Sequence, residues 1–519
     1  MLSKDWSNKL FKISALVTII VVIGKIFGFV RDAIIASFYG ATWQTDAFFL
    51  AQSLPSVIFP AVCNSVSTAF LSVYVSKIVS NENEADKYAS KMLCMTAVIS
   101  LFLSIAGILL LPILIPILAP GFNSAQTQLS IYLSRIVLAT FILTMGQYMF
   151  SSILSSRKLF YGAQIAGLFY NLTVILLVFA FGKNQSMYTL TWSVVCGHII
   201  QITTLIMISL KRFKFSWPSK IFDKDSFLLF NLTFPILIGN SIIQINNIVD
   251  RILASFVAQG AVSSLSYSNT LNRFVTGIII TTLSTVLYPY FAESYAKNDL
   301  ADFSKRLKQS CVSLLMCMLP VSIMTVVFSS DIVRIVYMRG NFGKDAFFMT
   351  ATLLTFYGGM YIFSSLQELI TRAFYAMKDT KTPLKVASLA ILANSVLSII
   401  LTRFIGIGGI ALGTTLSTML AAYLLLHKIG KYLPGFHFMD IFPSIKKMTL
   451  AGLIIIFVSY ACSLHLVCLK PFLRFGISIV LNFSVYFGLL YLFKCQEVLN
   501  LVKIIKQKIE KNLYREGSL

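Results

Sequence analysis

Charged residues are scarce in this chain of 519 residues. They account for 12% of it, which is roughly half the share found in soluble domains. Hydrophobic residues account for 57%. This balance excludes a soluble globular protein and predicts an all-α polytopic membrane protein. The first residues, up to Lys12, also lack a small-residue cleavage site, so the first hydrophobic segment is expected to be a retained helix rather than a signal peptide.

Paired cysteines, clustered histidines and nucleotide-binding loops are also missing. The eight cysteines show no paired spacing and the four histidines show no ligand spacing, so no disulfide framework, metal site or cofactor is expected. No Gly-x-x-x-x-Gly-Lys-Ser/Thr loop occurs, which excludes that route of nucleotide consumption.

Long apolar runs are what the sequence has in abundance. Runs of about 20 apolar residues predict fourteen transmembrane helices, and an even number puts both termini on one side. Of the 43 Lys and Arg residues, 30 fall on that side and seven in the opposite loops. The positive-inside rule then places both termini in the cytoplasm, and the net charge of +23 is explained by anionic lipid without a nucleic-acid partner. The predicted spans are 11–36, 47–76, 91–118, 127–155, 160–182, 187–210, 226–254, 262–292, 307–328, 346–371, 384–402, 408–427, 448–468 and 472–493.

Short motifs recur at offsets of 217 to 223 residues, which indicates an internal repeat. Because six spans separate the copies, both share one orientation, as expected for two parallel six-helix lobes of a rocking transporter. Asp225, in the loop before the seventh span, is expected to cap the helix that follows. The recurring pairs are Ala36-Ser37-Phe38 with Ala254-Ser255-Phe256, Ser67-Thr68 with Ser284-Thr285, and Asn171 with Asn394. The predicted organisation is an N-terminal lobe over 1–215, a C-terminal lobe over 216–432, two additional helices over 433–495 and an amphipathic cytoplasmic tail over 496–519.

Charged residues inside the first span predict a functional site. Lys25, Gly28 and Asp32 are spaced three or four residues apart and share one helix face, with Arg31 beside it. A charge at this depth costs about 3 kcal/mol or more, so it normally faces a partner or a water-filled cavity. Gly24 and Gly28 form a step that lets a neighbouring helix approach. The alternative is that Lys25 extends to the interface and Arg31–Asp32 marks a helix end.

Further polar residues lie within the seventh and eighth predicted spans. Asn240, Gln244, Asn247 and Arg251 are spaced four, three and four residues apart and form one stripe, and Arg273 lies in the next span. Such a stripe lines a cavity or packs against another helix. With Lys25 and Arg31, the two arginines predict a cationic lining, which Asp32 and Asp250 moderate. Cations in a cavity of low dielectric constant suit a phosphate or pyrophosphate.

Several motifs together resemble the MurJ (MviN) family, whose members flip lipid II and belong to a superfamily shared with MATE exporters and Wzx-type flippases. The resemblance covers nearly the whole chain and implies the family's architecture of fourteen helices in two six-helix lobes plus two C-terminal helices. It also implies a cationic cavity that binds pyrophosphate. The motifs are Gly24-Lys-x-x-Gly-Phe-x-Arg-Asp32, Thr45-Asp46-Ala47-Phe48, Val249-Asp250-Arg251, Arg339-Gly-Asn-Phe342, Arg372-Ala-Phe-Tyr-Ala376 and Lys378-Asp-Thr-Lys-Thr-Pro383.

The resemblance extends to individual site residues. Arg31, Asp32 and Asp46 match the family pattern, and Lys25 stands where the family usually has arginine. Two positions depart from the pattern: Phe59 and Thr270 stand where an arginine is usual. The substrate-binding residues expected from the stripes and the resemblance together are Lys25, Arg31, Asp32, Asp46, Asn247, Arg251 and Arg273.

The function that the resemblance implies is that of a flippase of the inner membrane, which is a transporter and not an enzyme. It moves a polyprenyl-pyrophosphate-linked glycan, foremost the peptidoglycan precursor lipid II, from the inner to the outer leaflet by alternating access. Cell-wall synthesis proteins are candidate partners. The alternatives are a flippase for another undecaprenyl-linked oligosaccharide, a MATE-like small-molecule exporter, and a non-transporting scaffold for cell-wall enzymes. The cationic lining argues against the exporter, and the polar stripes argue against the scaffold.

Overall fold

A computed structural model describes residues 4–53, 59–184, 186–499 and 503. Over these ranges the chain forms helices and connections with no β-strand, which confirms the all-α prediction. The amphipathic tail predicted over 496–519 lies almost wholly outside the described residues, as do the side chains of the repeated Ser284-Thr285 pair.

Nineteen α-helices form over the described ranges, numbered here in chain order. Short 3₁₀ turns occur at Gly182–Asn184 and Phe438–Ile441, and one π-helical turn, Thr276–Ile280, joins α10 to α11. The helices are α1 Lys4–Tyr39, α2 Trp43–Ala51, α3 Phe59–Ser80, α4 Glu82–Leu118, α5 Ser124–Leu138, α6 Phe141–Ser156, α7 Tyr161–Phe181, α8 Met187–Ser209, α9 Lys224–Val257, α10 Ala261–Val275, α11 Thr281–Ala296, α12 Leu300–Val327, α13 Ser329–Val336, α14 Lys344–Gly358, α15 Met360–Ala376, α16 Lys381–Ile405, α17 Gly408–Tyr432, α18 Phe442–His465 and α19 Pro471–Leu492.

Side-chain caps explain where several of these helices begin. A Thr, Asn or Asp precedes the first turn and accepts hydrogen bonds from backbone N–H groups that have no partner inside the helix. The N-cap of α9 is Asp223, so the prediction that Asp225 caps this helix is wrong by two residues. The capping residues are Thr42 before α2, Asn81 before α4, Asn123 before α5, Asp223 before α9 and Asp299 before α12.

Ten helices of the described chain are long and apolar enough to cross a membrane, and the bent pair α14–α15 raises the number to eleven. This is roughly consistent with the fourteen predicted spans. The three predicted spans outside this set, 11–36, 226–254 and 262–292, contain most of the charged and polar residues expected at the site. Each of these three spans includes residues whose side chains the structure does not describe, so it enters that count only in part.

The bend between α14 and α15 has a local cause. The two helices meet at an angle of 48° around Gly358 and Gly359. A Cβ atom at Gly358 would lie 2.8 Å from a methyl carbon of Val326, so α12 approaches this backbone too closely for a larger residue. The hydroxyl of Ser322 donates a hydrogen bond of 2.5 Å to the carbonyl oxygen of Gly358 at the bend.

The described chain divides into two compact units. The first contains residues 1–270 and 337–346, and its core includes the stacked rings of Phe70 and Tyr74. The second contains residues 271–336 and 347–519, and its core includes Phe291 and Phe303. The boundaries of the lobes at 215 and 432 stay predictions.

Candidate functional site

The guanidinium group of Arg31 is the centre of a polar network in the first unit. Its Nε and Nη2 atoms donate hydrogen bonds of 2.9 and 2.7 Å to Oδ1 of Asp32. Nη1 donates to Oδ1 of Asn171 at 3.1 Å, and the group lies 5.5 Å from the ring centre of Tyr170. These bonds use three of the five N–H donors of an arginine, so the group is held in one orientation with two donors outside these contacts.

Asn171 connects this network to the small-residue step of α1. Its Nδ2 atom lies 3.5 Å from the carbonyl oxygen of Gly24, and a Cβ atom at Gly28 would lie 3.8 Å from the Asn171 amide. A Cβ atom at Gly28 would be in ordinary van der Waals contact with this amide, and one at Gly24 would meet nothing within 4 Å, so the closeness of α7 does not depend on the small-residue step. The repeat had singled out Asn171 only as a matched position.

Asp32 connects Arg31 to α10. Its Oδ2 atom accepts a hydrogen bond of 2.8 Å from the hydroxyl of Thr270. Thr270 is one of the two positions that depart from the family pattern. A hydroxyl at this position satisfies the carboxylate without adding a positive charge, so Arg31 is the charged partner of Asp32 among the described residues.

Uncharged groups pack behind Tyr170. The ring of His198 lies 4.9 Å from the Tyr170 ring, centre to centre. Nε2 of Gln147 lies 3.2 Å from Nδ1 of His198 and donates a bond of 3.1 Å to the His198 carbonyl oxygen. The interaction partners of His198 on this side are an aromatic ring and a neutral amide. His198 therefore supports the position of Tyr170, as expected for a packed histidine.

Asp46 lies in a second, separate cluster, buried at the start of α10. Its carboxylate accepts hydrogen bonds from the backbone N–H of Gly260, the backbone N–H of Ser263 at 2.8 Å and the Ser263 hydroxyl at 2.6 Å. The Ser263 hydroxyl also lies 3.0 Å from Oγ1 of Thr45. The carboxylate thus satisfies the free N–H groups of the first turn of α10 and its charge interacts favourably with the helix dipole. We name Thr45, Asp46, Gly260 and Ser263 the α2–α10 cluster.

The connection before α14 reinforces this end of the first unit. The backbone N–H of Asn341 donates to the Ser37 carbonyl oxygen at 2.9 Å, and its side chain donates to the Phe38 carbonyl oxygen at 2.6 Å. The hydroxyl of Tyr267 donates to the Gly40 carbonyl oxygen at 2.8 Å. These bonds join residues from both predicted lobes at the ends of α1 and α10. The end of α1 is therefore bonded both to α10 and to the connection before α14 within the first unit.

The other expected site residues lie outside these two clusters. Lys25 and Arg251 are partly buried, and Asn247 is exposed with its Nδ2 atom 3.1 Å from Oε1 of Gln244. Arg273 is exposed and belongs to the second unit. That these residues bind substrate stays a prediction.

Asn240 and Phe59 contact neighbouring helices and do not face a cavity. Nδ2 of Asn240 donates a hydrogen bond of 2.9 Å to the Ser65 hydroxyl, so the first residue of the α9 stripe binds α9 to α3. Phe59, the second departure from the family pattern, is buried and stacks on Phe141 with ring centres 4.1 Å apart. An aromatic contact therefore occupies the position where a cation is usual.

Among the described residues, no group of three His, Cys, Asp or Glu side chains is arranged to hold a metal ion. The polar contacts that sequence reasoning missed are those of Tyr170, Thr270 and Ser263. Each is a single polar or aromatic residue in an apolar helix, and a single residue shows no periodic pattern. The asparagine at 171 could have been recognised, because an amide inside an apolar span usually has a partner.

The chain that carries Arg31 and Asp46 is similar to known proteins over most of its length. The family described as "Lipid II flippase MurJ" matches the chain over residues 35–475. The chain belongs to the MurJ family. A relative from Rickettsia prowazekii (strain Madrid E), "Probable lipid II flippase MurJ", is 27% identical over 93% of this chain and 98% of its own length. Another with the same name, from Buchnera aphidicola subsp. Acyrthosiphon pisum (strain APS), is 28% identical over 80% of this chain and 82% of its own.

Solved structures agree with the family assignment. The structure titled "Lipid II flippase MurJ, inward closed conformation" matches with a TM-score of 0.81 and 25% identity, covering 92% of this chain and 98% of the other. An inward-facing MATE family transporter of the MOP superfamily matches with a TM-score of 0.68 and 13% identity, covering 86% of this chain and 99% of the other. At this identity the second match shows a shared fold alone. The chain is thus a multi-pass membrane transporter of the MurJ family and not an enzyme.

Proposed function

We propose that this MurJ-family protein is a lipid II flippase of the inner membrane. It moves the lipid-linked glycan from the inner to the outer leaflet by alternating access. Support comes from the family match over residues 35–475 and from relatives named lipid II flippases. That cell-wall synthesis proteins associate with it stays a prediction.

The observation that carries this proposal is the held guanidinium of Arg31. A pyrophosphate offers several anionic oxygens, and a guanidinium binds such oxygens through paired N–H donors. Asp32, Asn171 and Tyr170 fix the group before substrate arrives, which reduces the ordering cost of binding. Asp32 also balances the charge of Arg31, so a headgroup can be released as well as bound.

A second function is favoured by one specific observation. Phe59 and Thr270 replace two cations of the family pattern with an aromatic contact and a hydroxyl. With fewer cations the site could serve a different undecaprenyl-linked oligosaccharide. The two functions are distinguished by depleting the protein and identifying the lipid-linked glycan that accumulates. Accumulation of lipid II supports the first function, whereas accumulation of another glycan supports the second.

We propose in addition that the α2–α10 cluster closes the outer end of the transporter. Asp46 accepts three hydrogen bonds from Gly260 and Ser263. These join the beginning of α2, in the predicted N-terminal lobe, to the beginning of α10, in the predicted C-terminal lobe. Alternating access requires bonds of this kind to form in one state and break in the other.

The proposed orientation, with both termini in the cytoplasm, is tested by cysteine labelling. Lys344 and Asn83 are both exposed, and the basic-residue asymmetry places them on opposite sides of the membrane. With the exposed Cys468 replaced by Ser, an impermeant maleimide applied outside is expected to label Lys344→Cys and not Asn83→Cys. The reverse pattern would contradict the orientation.

The energy source of flipping gives a further prediction. A pyrophosphate headgroup is anionic, and an inside-negative potential drives each uncompensated charge outward with about 2.3 kcal/mol per 100 mV. We expect an ionophore that removes the membrane potential to stop the appearance of the lipid-linked glycan at the outer face. Removing ATP alone is expected to leave flipping intact.

A matched control separates the potential from the proton gradient. An ionophore that removes only the pH difference should leave most of the flipping rate if the potential drives transport. Undiminished flipping at zero potential would contradict the prediction and point to a bound ion or to consumption of the product outside.

A further inference from the structure

Two lysine–aspartate ion pairs are separated in the sequence by one repeat length. Lys91 of α4 pairs with Asp223, which precedes α9, and Lys308 of α12 pairs with Asp440, which precedes α18. Both members of the second pair lie 217 residues after those of the first. The hydrogen bond from each lysine lowers the pKa of its aspartate below the ordinary value. Each unit therefore carries its own version of one lysine–aspartate clamp.

A tyrosine fills the space beneath the clamp of the first unit. Tyr88 precedes Lys91 by three residues on α4 and is 2% exposed. Its ring stacks on Phe70 with centres 5.8 Å apart, and Nζ of Lys77 lies 5.0 Å from the ring centre. In the first unit, the space below the lysine–aspartate pair is therefore filled by an aromatic ring that also contacts a lysine.

The second unit has no such ring at the matching position. Lys305 precedes Lys308 by three residues and is exposed. A cavity of about 520 Å³ opens beside it, with apolar walls that include Leu300, Val312 and Ile441. This volume lies in the range of sites that bind small organic groups, roughly 300 to 1,000 Å³.

The cavity also contains a buried hydroxyl. Ser304 lines it and is 3% exposed, and its Oγ atom has no hydrogen-bond partner among the described residues. A buried polar atom without a partner is costly, so a ligand that supplied the missing bond would gain stability here. The site is therefore suited to an occupant with an apolar body and a polar group.

Two lysines and two carboxylates lie at the opening, and one of the lysines has no carboxylate partner there. Lys308 is paired with Asp440, and the carboxylate of Glu497 accepts bonds from the Ser444 hydroxyl and the Cys495 thiol. Lys305 has no ion pair with any residue that the structure describes. It is therefore the cation available to a carboxylate placed beside the cavity.

We propose that this cavity receives a Tyr or Trp side chain from an acidic segment of a partner protein. The ring would occupy the position that Tyr88 occupies in the first unit, and its O–H or N–H would bond to Ser304 or Glu497. A neighbouring carboxylate of the same segment would pair with Lys305. Buried aromatic anchors of this kind supply much of the affinity of protein interfaces.

The first test fills the cavity from within. Lys305→Tyr copies the residue of the first unit at the matching position, so it is expected to raise the melting temperature of the full-length protein in nanodiscs by about 2 °C. Ala301→Trp, one turn earlier on α12 and also in the lining, gives a second filling variant. Lys87→Tyr, an exposed position on α4 away from the cavity, is the matched control and is expected to leave the melting temperature unchanged.

The second test measures binding with N-acetyl-tyrosine as probe, by saturation-transfer NMR on the same nanodiscs. The probe carries the ring and the carboxylate, and N-acetyl-tyrosine amide lacks the carboxylate. We expect the acid to bind wild type at least threefold more tightly than the amide, Lys305→Ala to remove this difference, and both filling variants to remove binding. Absence of binding to wild type, or equal binding to the filling variants, would overturn the proposal.

A crosslinking experiment in cells tests the identity of the occupant. A benzoyl-phenylalanine residue replaces Gln309, which lines the cavity. The expected adduct is a protein, it disappears when Lys305→Tyr is added, and its crosslinked peptide contains Tyr or Trp next to Asp or Glu. An adduct with lipid alone, or a protein adduct that persists in the filled variant, would contradict the proposed partner.

Discussion

Replacing Arg31 with Ala is expected to reduce the rate of flipping roughly 100-fold while the protein level stays unchanged. The change removes a cation that three neighbours hold in place, and with it the paired donors for a pyrophosphate. Charge-assisted hydrogen bonds contribute about 3 kcal/mol, which corresponds to this factor. The measurement is the appearance of the lipid-linked glycan at the outer face, together with growth of cells that depend on the variant.

Graded variants separate the charge of Arg31 from its orientation. Asn171→Ala keeps the cation but removes one orienting bond, so a loss of about fivefold is expected. Lys25→Arg should be tolerated, because it keeps the charge and restores the residue usual in the family. Full growth of the Arg31→Ala variant at normal expression would remove the main residue from the proposed site.

The fold was largely predictable from the sequence because its signals are long and repetitive. Apolar runs of about 20 residues identify membrane helices without any knowledge of their contacts. The predicted repeat rests on a similar kind of signal, since the copies preserve both motifs and spacing, and the lobes it suggests stay a prediction. The bend at Gly358 was not predictable, because it depends on the approach of Val326 from a helix distant in the sequence.

The site was predictable only in part. Arg31 and Asp32 stand out because charges are rare and costly inside an apolar helix. Thr270 gave no such signal, since hydroxyl residues are common in these helices and bond equally well to their own backbone. Its bond to Asp32 depends on how α10 packs against α1. The resemblance alone had singled out Asp46, and its contacts with the first turn of α10 suggest a role in closure in addition to the predicted substrate binding.

Replacing Asp46 with Ala is expected to open the outer end of the transporter. The change leaves the backbone donors of Gly260 and Ser263 without their buried acceptor, at a cost of about 3 kcal/mol in the state where the cluster forms. If the open state lacks the cluster, its population relative to the closed state rises roughly 100-fold. An impermeant maleimide applied outside should then label Asn247→Cys much faster in the Asp46→Ala background.

Two further variants make the Asp46 prediction specific. Ser263→Ala removes the hydroxyl but keeps the backbone bond, so the labelling rate should rise by only about tenfold. Asp345→Ala removes an exposed carboxylate outside the cluster and should leave the rate unchanged. The expected labelling rates of the three variants follow the number of hydrogen bonds that each variant removes from the first turn of α10. Equal labelling in all three variants would mean that the α2–α10 cluster stabilises the helix in every state and does not control access to Asn247.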